Sequence, residues 1–404
     1  MRVVLVNRFF PPDLSATSQL VGDLAADLAA RGVTVEVVAS RQRIDAPAAD
    51  LPADECWRGV RVRRVWSTRC GRESSLGRAL DAVTFLLASA WCLRGALRPG
   101  DVVVAKTDPP LLCVMVARIA RRRGARLVNW IQDLFPEVAQ AAGIGVARGR
   151  AGAWLRRLRD VALGRAAVNV CIGERMAERV RALVATPERV VVIPNWADET
   201  RLVPDEAAVA AVRGRWGAGE RLVVGYAGNL GRVHEHRTLI GAARALAGDD
   251  RVRFVVVGGG RHHRRLAAAD LSNLTLNGYV ADDEVPAMLG AIDVHVVTLL
   301  PSMEGLVVPS KIYGVLAAGR PTIFVGDPAG EVAELLRRHA CGVTVAPGDV
   351  AGLVDAVARF RDDPARRRRM GRAARALACG ECARVGRLAR WRAMLAAVAD
   401  SGAE

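Results

Sequence analysis

The chain has almost no lysine. Of 58 basic residues only Lys106 and Lys311 are lysines, and the rest are arginine. That imbalance reads as a drift toward GC-rich codons. A lysine kept against it points to work arginine cannot do, since a compact ammonium on a flexible stem fits a tight phosphate site that a planar fork does not. A purely structural lysine at a helix start is the alternative, and composition leaves both open. Tyrosine is nearly as scarce: Tyr226, Tyr279 and Tyr313, all in turn or helix motifs of the second half. No Asp-x-Asp occurs, so the usual carboxylate pair for a diphosphate-bound metal is missing and no metal is expected. There is no Walker A sequence. The dinucleotide pattern G-x-G-x-x-G is not met, because Gly143-Ile-Gly145 runs on to Arg148. The six histidines form no H-E-x-x-H. These gaps argue against a P-loop NTPase, an NAD enzyme and a zinc hydrolase. The longest apolar run, Ala82–Leu93, is shorter than the ~20 residues a spanning helix needs, so no membrane crossing is expected. Met1–Val6 reads as a first strand, not a secretory signal.

What is present fits a globular protein of two domains: 404 residues, 51% apolar and 25% charged. The net charge of +16 favours anionic partners, namely nucleotides, a phospholipid surface or nucleic acid. Nucleic acid is the weakest of these, since no binding motif occurs and the arginines are spread over many helices. The eight cysteines mostly sit in apolar patterns and read as reduced core thiols of a cytoplasmic protein. Cys379-Gly-Glu-Cys382 is a single CxxC without a second pair, too little for a zinc site.

Along the chain, apolar runs alternate with helical patterns. Arg2–Val6, a helix from about Ser18 to Arg31 and Val33–Ala39 form a β-α-β unit, whose crossover should be right-handed in a parallel sheet. Ser15, Thr17, Ser18 and Gln19 lie in the intervening loop, at the sheet edge where open α/β folds bind ligands. Arg41–Glu73 reads as loop-rich. Leu76–Leu97 is a long helix, either a core helix or one that dips into a bilayer surface. Strands follow at Asp101–Ala105 and Leu127–Ile131. At the second one's carboxyl end stand Gln132, Asp133 and Glu137, whose acids are either helix caps or cleft groups. Arg148–Arg165 is a basic helix, whose arginines are either solvated or face lipid headgroups. The pattern restarts with the strand Leu222–Ala227 and the turn Gly228-Asn-Leu-Gly231, which lets backbone approach a ligand. Arg253–Val257 leads into Gly258-Gly-Gly260, a phosphate-friendly turn. Gly278-Tyr-Val280 follows, and Asp282-Asp-Glu284 is expected to cap Val285–Ala291. The expected division is 1–195, 196–375 and a terminal helix within 376–404.

The most informative stretch is Pro301–Pro321. Glu304-Gly305 offers a carboxylate for hydroxyls and a glycine for close approach. A helix then opens at Ser310 and stops at Gly319, with Lys311 in its first turn. Helix N-termini attract phosphate. The order suits a sugar linked to a diphosphate.

Five segments together resemble one family: F-F-P-P-D-L-S-A-T-S-Q (9–19), I-Q-D-L-F-P-E (131–137), I-P-N-W (193–196), Y-A-G-N-L-G-R-V-H-E (226–235) and E-G-L-V-V-P-S-K-I-Y-G-V-L-A-A-G-R-P (304–321). They are similar to the retaining, nucleotide-sugar-dependent glycosyltransferases of family 4, in the bacterial branch that builds colanic-acid-type capsules and O-antigens. The resemblance implies an α/β fold, GT-B, with two Rossmann-like domains facing each other across a cleft. It implies a nucleotide-diphosphate sugar as co-substrate, no cofactor and no metal. Glu304 would hold donor hydroxyls, with amides of Gly305 and Leu306 beside it. Gly228, Asn229 and Gly258 would line the phosphates, and Tyr279 and Val280 the base. Ser15, Thr17, Ser18, Gln19 and Gln132 would serve the acceptor side, and the last helix would return to the first domain.

Four departures from the family pattern matter. Thr17-Ser18 replaces a glycine pair. Gln132 stands where many relatives carry His, which makes Asp133 the better catalytic candidate. Gly314 stands where a second Glu holds the ribose. The lysine that many relatives place after the glycine turn falls near His234, so Lys311, with Ser310 and Arg232, is expected to supply the phosphate site. The acceptor expected is a lipid-linked saccharide in cell-surface polysaccharide assembly, met at an anionic membrane surface on the cytoplasmic side. A soluble enzyme acting on a small natural product, or a non-catalytic nucleotide-sugar binder, is the alternative.

Overall fold

A computed structural model of the chain describes residues 1–44, 46, 49–71, 75–147 and 149–401. Arg72 and Arg148, which the sequence reading placed in a loop and at a helix start, lie outside them. The chain forms two compact units, Met1–Pro194 with Arg387–Glu404, and Asn195–Gly386.

The first unit is built on β1 (Arg2–Val6), β2 (Thr34–Ser40), β3 (Asp54–Trp57), β4 (Val60–Val65), β5 (Val102–Lys106), β6 (Arg126–Ile131), β7 (Val168–Cys171) and β8 (Val190–Val192). Their order across the sheet is β3-β4-β2-β1-β5-β6-β7-β8. The central strands are valine-rich and buried on both faces, as a sheet covered by helices on each side requires. The strand order reverses between β1 and β5, so the loops after these strands part there and leave a crevice at their carboxyl ends.

The segment read as loop-rich instead holds the β3–β4 hairpin, the antiparallel pair of this sheet. Arg58 and Gly59, at φ 49° and 78°, make its two-residue turn. Two left-handed residues match the twist of the flanking strands. Arg-Gly is not the usual Asn-Gly signal, so periodicity alone missed it.

The second unit carries β9 (Leu222–Ala227), β10 (Val252–Val257), β11 (Leu274–Asn277), β12 (Val294–Thr298), β13 (Thr322–Val325) and β14 (Gly342–Val345). Their order is β11-β10-β9-β12-β13-β14, parallel throughout. Here the reversal falls between β9 and β12. Both units are therefore doubly wound, and each has one place where its topology opens a site.

The second unit extends to Gly386 rather than 375. The reason lies in the helix Pro364–Cys379, which packs on the helix Lys311–Ala317. Gly371 and Gly319 let the two backbones close, since a Cβ on Gly371 would lie 2.5 Å from the Gly319 carbonyl oxygen. Arg375 then donates to the carbonyls of Ala317 (2.5 Å) and Glu199 (2.8 Å). The last helix, Arg384–Asp400, runs into the first unit. Its Trp391 is fully buried against Trp130, ring centroids 4.5 Å apart. Arg392 pairs with Asp27 at 2.5 Å, and Arg126 donates to the Val398 carbonyl at 2.7 Å.

Candidate active site

In the second unit, β9 ends on Tyr226 and Ala227, and the chain turns at Gly228 with φ 111°. β10 ends in the same way at Gly258, φ 125°. The two turns lie backbone to backbone. A Cβ on Gly258 would stand 2.4 Å from the Gly228 carbonyl oxygen, and one on Gly260 2.4 Å from Asn229 Oδ1. Only glycine satisfies both the dihedral and the space. The Leu230 amide donates to the Gly259 carbonyl at 2.7 Å and fixes the pair. Tyr279 is 70% exposed and lays its ring against Gly259, where a Cβ would come within 3.0 Å of it. An exposed ring beside a glycine turn offers a flat face that a planar group could stack on.

Lys311 reaches this turn from the other side of the switch point. Its Nζ donates to the Tyr226 hydroxyl, to the Asn229 carbonyl (3.3 Å) and to His234 Nε2 (3.4 Å). Tyr226 in turn donates to the Asn229 carbonyl at 2.9 Å. His234 Nδ1–H donates to the Thr298 carbonyl at 2.7 Å, at the end of β12. Burial first, and the Lys311 charge second, hold the His234 pKa at about 3. The ring is therefore neutral and turns a lone pair toward the amine. All three acceptors around Lys311 are uncharged, and among the described residues no carboxylate lies within ion-pair distance of it. Burial lowers the Lys311 pKa well below its ordinary value. A half-enclosed ammonium with only neutral partners gains most from an arriving anion. Half-buried Arg232, two residues before His234, carries a guanidinium with no ion pair among the described residues.

Other sequence expectations need correction here. The helix behind Lys311 is only Lys311–Ala317, and Ser310 precedes it without a side-chain cap bond. A helix this short gives little dipole, so the ammonium is the stronger attraction this end of the helix offers an anion. The Leu306 amide is not free for a ligand, because it donates to the Met303 carbonyl at 2.9 Å. The Glu304 carboxylate accepts from the Glu331 amide at 2.8 Å and thereby caps the helix Glu331–Arg338. Gly314 faces Leu289 and Leu202, not a polar surface. Glu284 stands at the N-cap of Val285–Ala291 but makes no side-chain cap bond; it pairs with Arg215, and Asp282 pairs with Arg201. Cys56, Cys70 and Cys379 are exposed rather than in the core, and among the described residues no group of three potential metal ligands occurs.

In the first unit the switch point holds the chain's other lysine. Lys106 closes β5 and is 1% exposed. Its Nζ donates to the Thr17 carbonyl at 3.1 Å and lies 3.9 Å from the Trp130 ring centroid. Thr107 Oγ1 accepts from the amides of Gln132 (3.0 Å) and Asp133 (3.4 Å), which sets the loop after β6. Asp133 is not a helix cap. Burial, and then the negative charge of Asp108, raise its pKa to about 6, while Lys106 opposes the rise. A carboxyl that titrates near neutrality suits a group that accepts and orients a hydroxyl. Glu137, by contrast, is committed to Arg159 at 2.7 Å. Ser15 caps the helix Ala16–Ala30, so Thr17, Ser18 and Gln19 are first-turn residues rather than loop groups. Ser18 is fully buried and cannot face an acceptor, and Gln132 is buried too. The sequence reading noted Lys106, Tyr226 and His234 but gave none of them a place in the site. The rarity of lysine was the signal that applied to Lys106 as much as to Lys311.

Family descriptions match both halves: "Glycosyl transferase 4-like domain" over residues 16–196 and "Glycosyl transferases group 1" over 221–363. The chain belongs to the family 4 glycosyltransferases. Among relatives, this glycosyltransferase is 30% identical over 298 residues to "Probable glycosyltransferase WbjE" of Pseudomonas aeruginosa, 72% of this chain and 74% of that one. It is 27% identical over 376 residues to "Putative colanic acid biosynthesis glycosyl transferase WcaI" of Escherichia coli K12, 88% of this chain and 90% of that one. Solved structures share its GT-B fold. Anabaena HepE in complex with UDP-glucose matches with TM-score 0.73 at 16% identity, over 98% of this chain and 100% of that chain. Sucrose-phosphate synthase of Thermosynechococcus elongatus matches with TM-score 0.75 at 18% identity, again over 98% and 100%.

Proposed function

We propose that this glycosyltransferase moves a sugar from a nucleotide-diphosphate sugar to a hydroxyl of a lipid-linked saccharide, with retention at the anomeric carbon, in cell-surface polysaccharide assembly. The observation that carries the donor half is Lys311, an ammonium held on three neutral acceptors beside two glycine turns. WcaI is described as a colanic acid biosynthesis enzyme, and HepE was solved with UDP-glucose; both support the reading. In the reaction the bond from the anomeric carbon to the phosphate oxygen breaks and the acceptor oxygen bonds to that carbon. The acceptor's proton passes to the departing diphosphate, and attack comes from the leaving group's own face. Negative charge grows on the diphosphate, where Lys311 and Arg232 would stabilise it, with the Gly228 and Gly258 turns leaving room for close approach. Asp133 would orient the acceptor hydroxyl, Tyr279 and Val280 would border the base, and Glu304 would accept from donor hydroxyls. No metal is needed for this scheme.

A thermal-shift screen of UDP-, GDP- and dTDP-sugars in EDTA tests the reading. One nucleotide sugar should raise the melting temperature without added metal. Stabilisation that appears only with added magnesium or manganese would count against it. The configuration of the new bond, read by NMR on the product, checks retention.

A further inference from the structure

The helix Ser75–Ala96 is apolar over most of its surface, and the fold covers only part of it. Phe85 and Leu93 are completely buried in the core of the first unit. Asp81 is buried as well, accepting from the Thr68 hydroxyl at 2.7 Å and the Cys70 amide at 2.9 Å. On the far side Leu76, Leu80, Val83, Leu87 and Trp91 are exposed, Leu76 by 84%, Leu87 by 68% and Trp91 by 80%. At 3.6 residues per turn these five fall within an arc of about 80°. Arg94 continues the same line at the helix end. An apolar helix face is normally covered, and a contiguous exposed stripe of this kind marks a contact surface.

We propose that this stripe lies in the headgroup region of an anionic bilayer. Charge decides the occupant. The helix has one acid, Asp81, and the fold buries it, so the helix itself turns no negative charge outward. Arg94 ends the stripe and exposed Arg98 follows the helix, while the chain carries +16. A second copy would bring the same +16 to the contact. An anionic surface complements it, and an indole at the edge of an apolar strip is suited to the membrane interface. By length and hydropathy the segment Leu76–Ala96 could span a bilayer. Its packed face forbids that, because crossing would tear Phe85, Leu93 and the Asp81 hydrogen bonds out of the unit. The helix therefore lies on the membrane rather than through it.

The test is co-sedimentation of the full chain with phosphatidylcholine vesicles and with vesicles containing one-third phosphatidylglycerol. The wild type should bind the anionic vesicles at least tenfold more tightly than the neutral ones. Leu87→Glu with Trp91→Glu should lose at least tenfold, and Leu87→Ser with Trp91→Ser serves if the charged pair fails to fold. Unchanged binding in a folded variant, equal binding to both vesicles, or a dimer in sedimentation velocity that these substitutions dissolve would overturn the proposal. Nucleotide-induced thermal shifts should be the same in wild type and variants, so a failure here is distinct from a failure of the donor reading.

Discussion

Replacing Lys311 by Met removes the ammonium and keeps the length of the stem. At 4 Å and an effective dielectric of 20, an ammonium and one phosphate charge attract by about 4 kcal/mol. Part of that is returned in desolvating both ions, and a hydrogen bond to a charged group contributes about 1.5–3 kcal/mol net. A loss of about 2 kcal/mol is therefore expected, about 30-fold in Kd. The loss should be specific to phosphate. Titration calorimetry with UDP, or with whichever nucleoside diphosphate the screen selects, should show the drop, and the bare nucleoside should bind both proteins alike. Lys311→Arg should also weaken binding, because a planar fork cannot meet the Tyr226, Asn229 and His234 acceptors as a point donor does. The amine's lowered pKa adds a second signature. Between its depressed folded value and the ordinary 10.5, the unfolded chain binds more protons, so this group makes stability rise with pH in that window and fall as pH drops through it. A bound diphosphate favours the charged form, so binding within the window should take up a proton. Buffers of different ionisation enthalpy will report that uptake. Diphosphate affinity within twofold of wild type in Lys311→Met would refute the reasoning.

Two further outcomes follow from the geometry. Asp133, with its pKa raised to about 6, contributes stability below the ordinary carboxylate range that is lost as pH rises through about 6. Its charged form should carry activity, so kcat/KM should fall on the acid side near that value; Asp133→Asn should abolish the limb, and Lys106→Met should move it to higher pH. A limb that stays in place in Lys106→Met would show that the two groups are not coupled. Gly258→Ala forces a left-handed alanine whose Cβ meets the Gly228 carbonyl oxygen at 2.4 Å, and should cost about 3 kcal/mol. Urea unfolding should show a lowered midpoint and thermal shift a lost nucleotide response; an unchanged midpoint contradicts the close approach of the two turns.

Much of this was legible in the sequence for a physical reason. Valine runs such as Val102–Ala105 and Val255–Val257 have the composition of strands buried on both faces, and the helical patterns between them favour parallel crossovers. The glycines at 228 and 258 mark turns that need positive φ, and local chemistry settles that without help from the fold. The scarcity of lysine singled out Lys106 and Lys311. What those two lysines touch could not be read along the chain. Lys311 meets Tyr226 across 85 positions and Lys106 meets Thr17 across 89, and only strand order decides such contacts. The same holds for Glu304, drawn to the Glu331 amide, and for Ser18, sealed inside the unit in the first turn of its helix. Residue type and spacing set which groups are present and which backbone they prefer. The sheet's switch points, formed only when distant strands pair, bring the charged groups together and fix which of them a ligand can still reach.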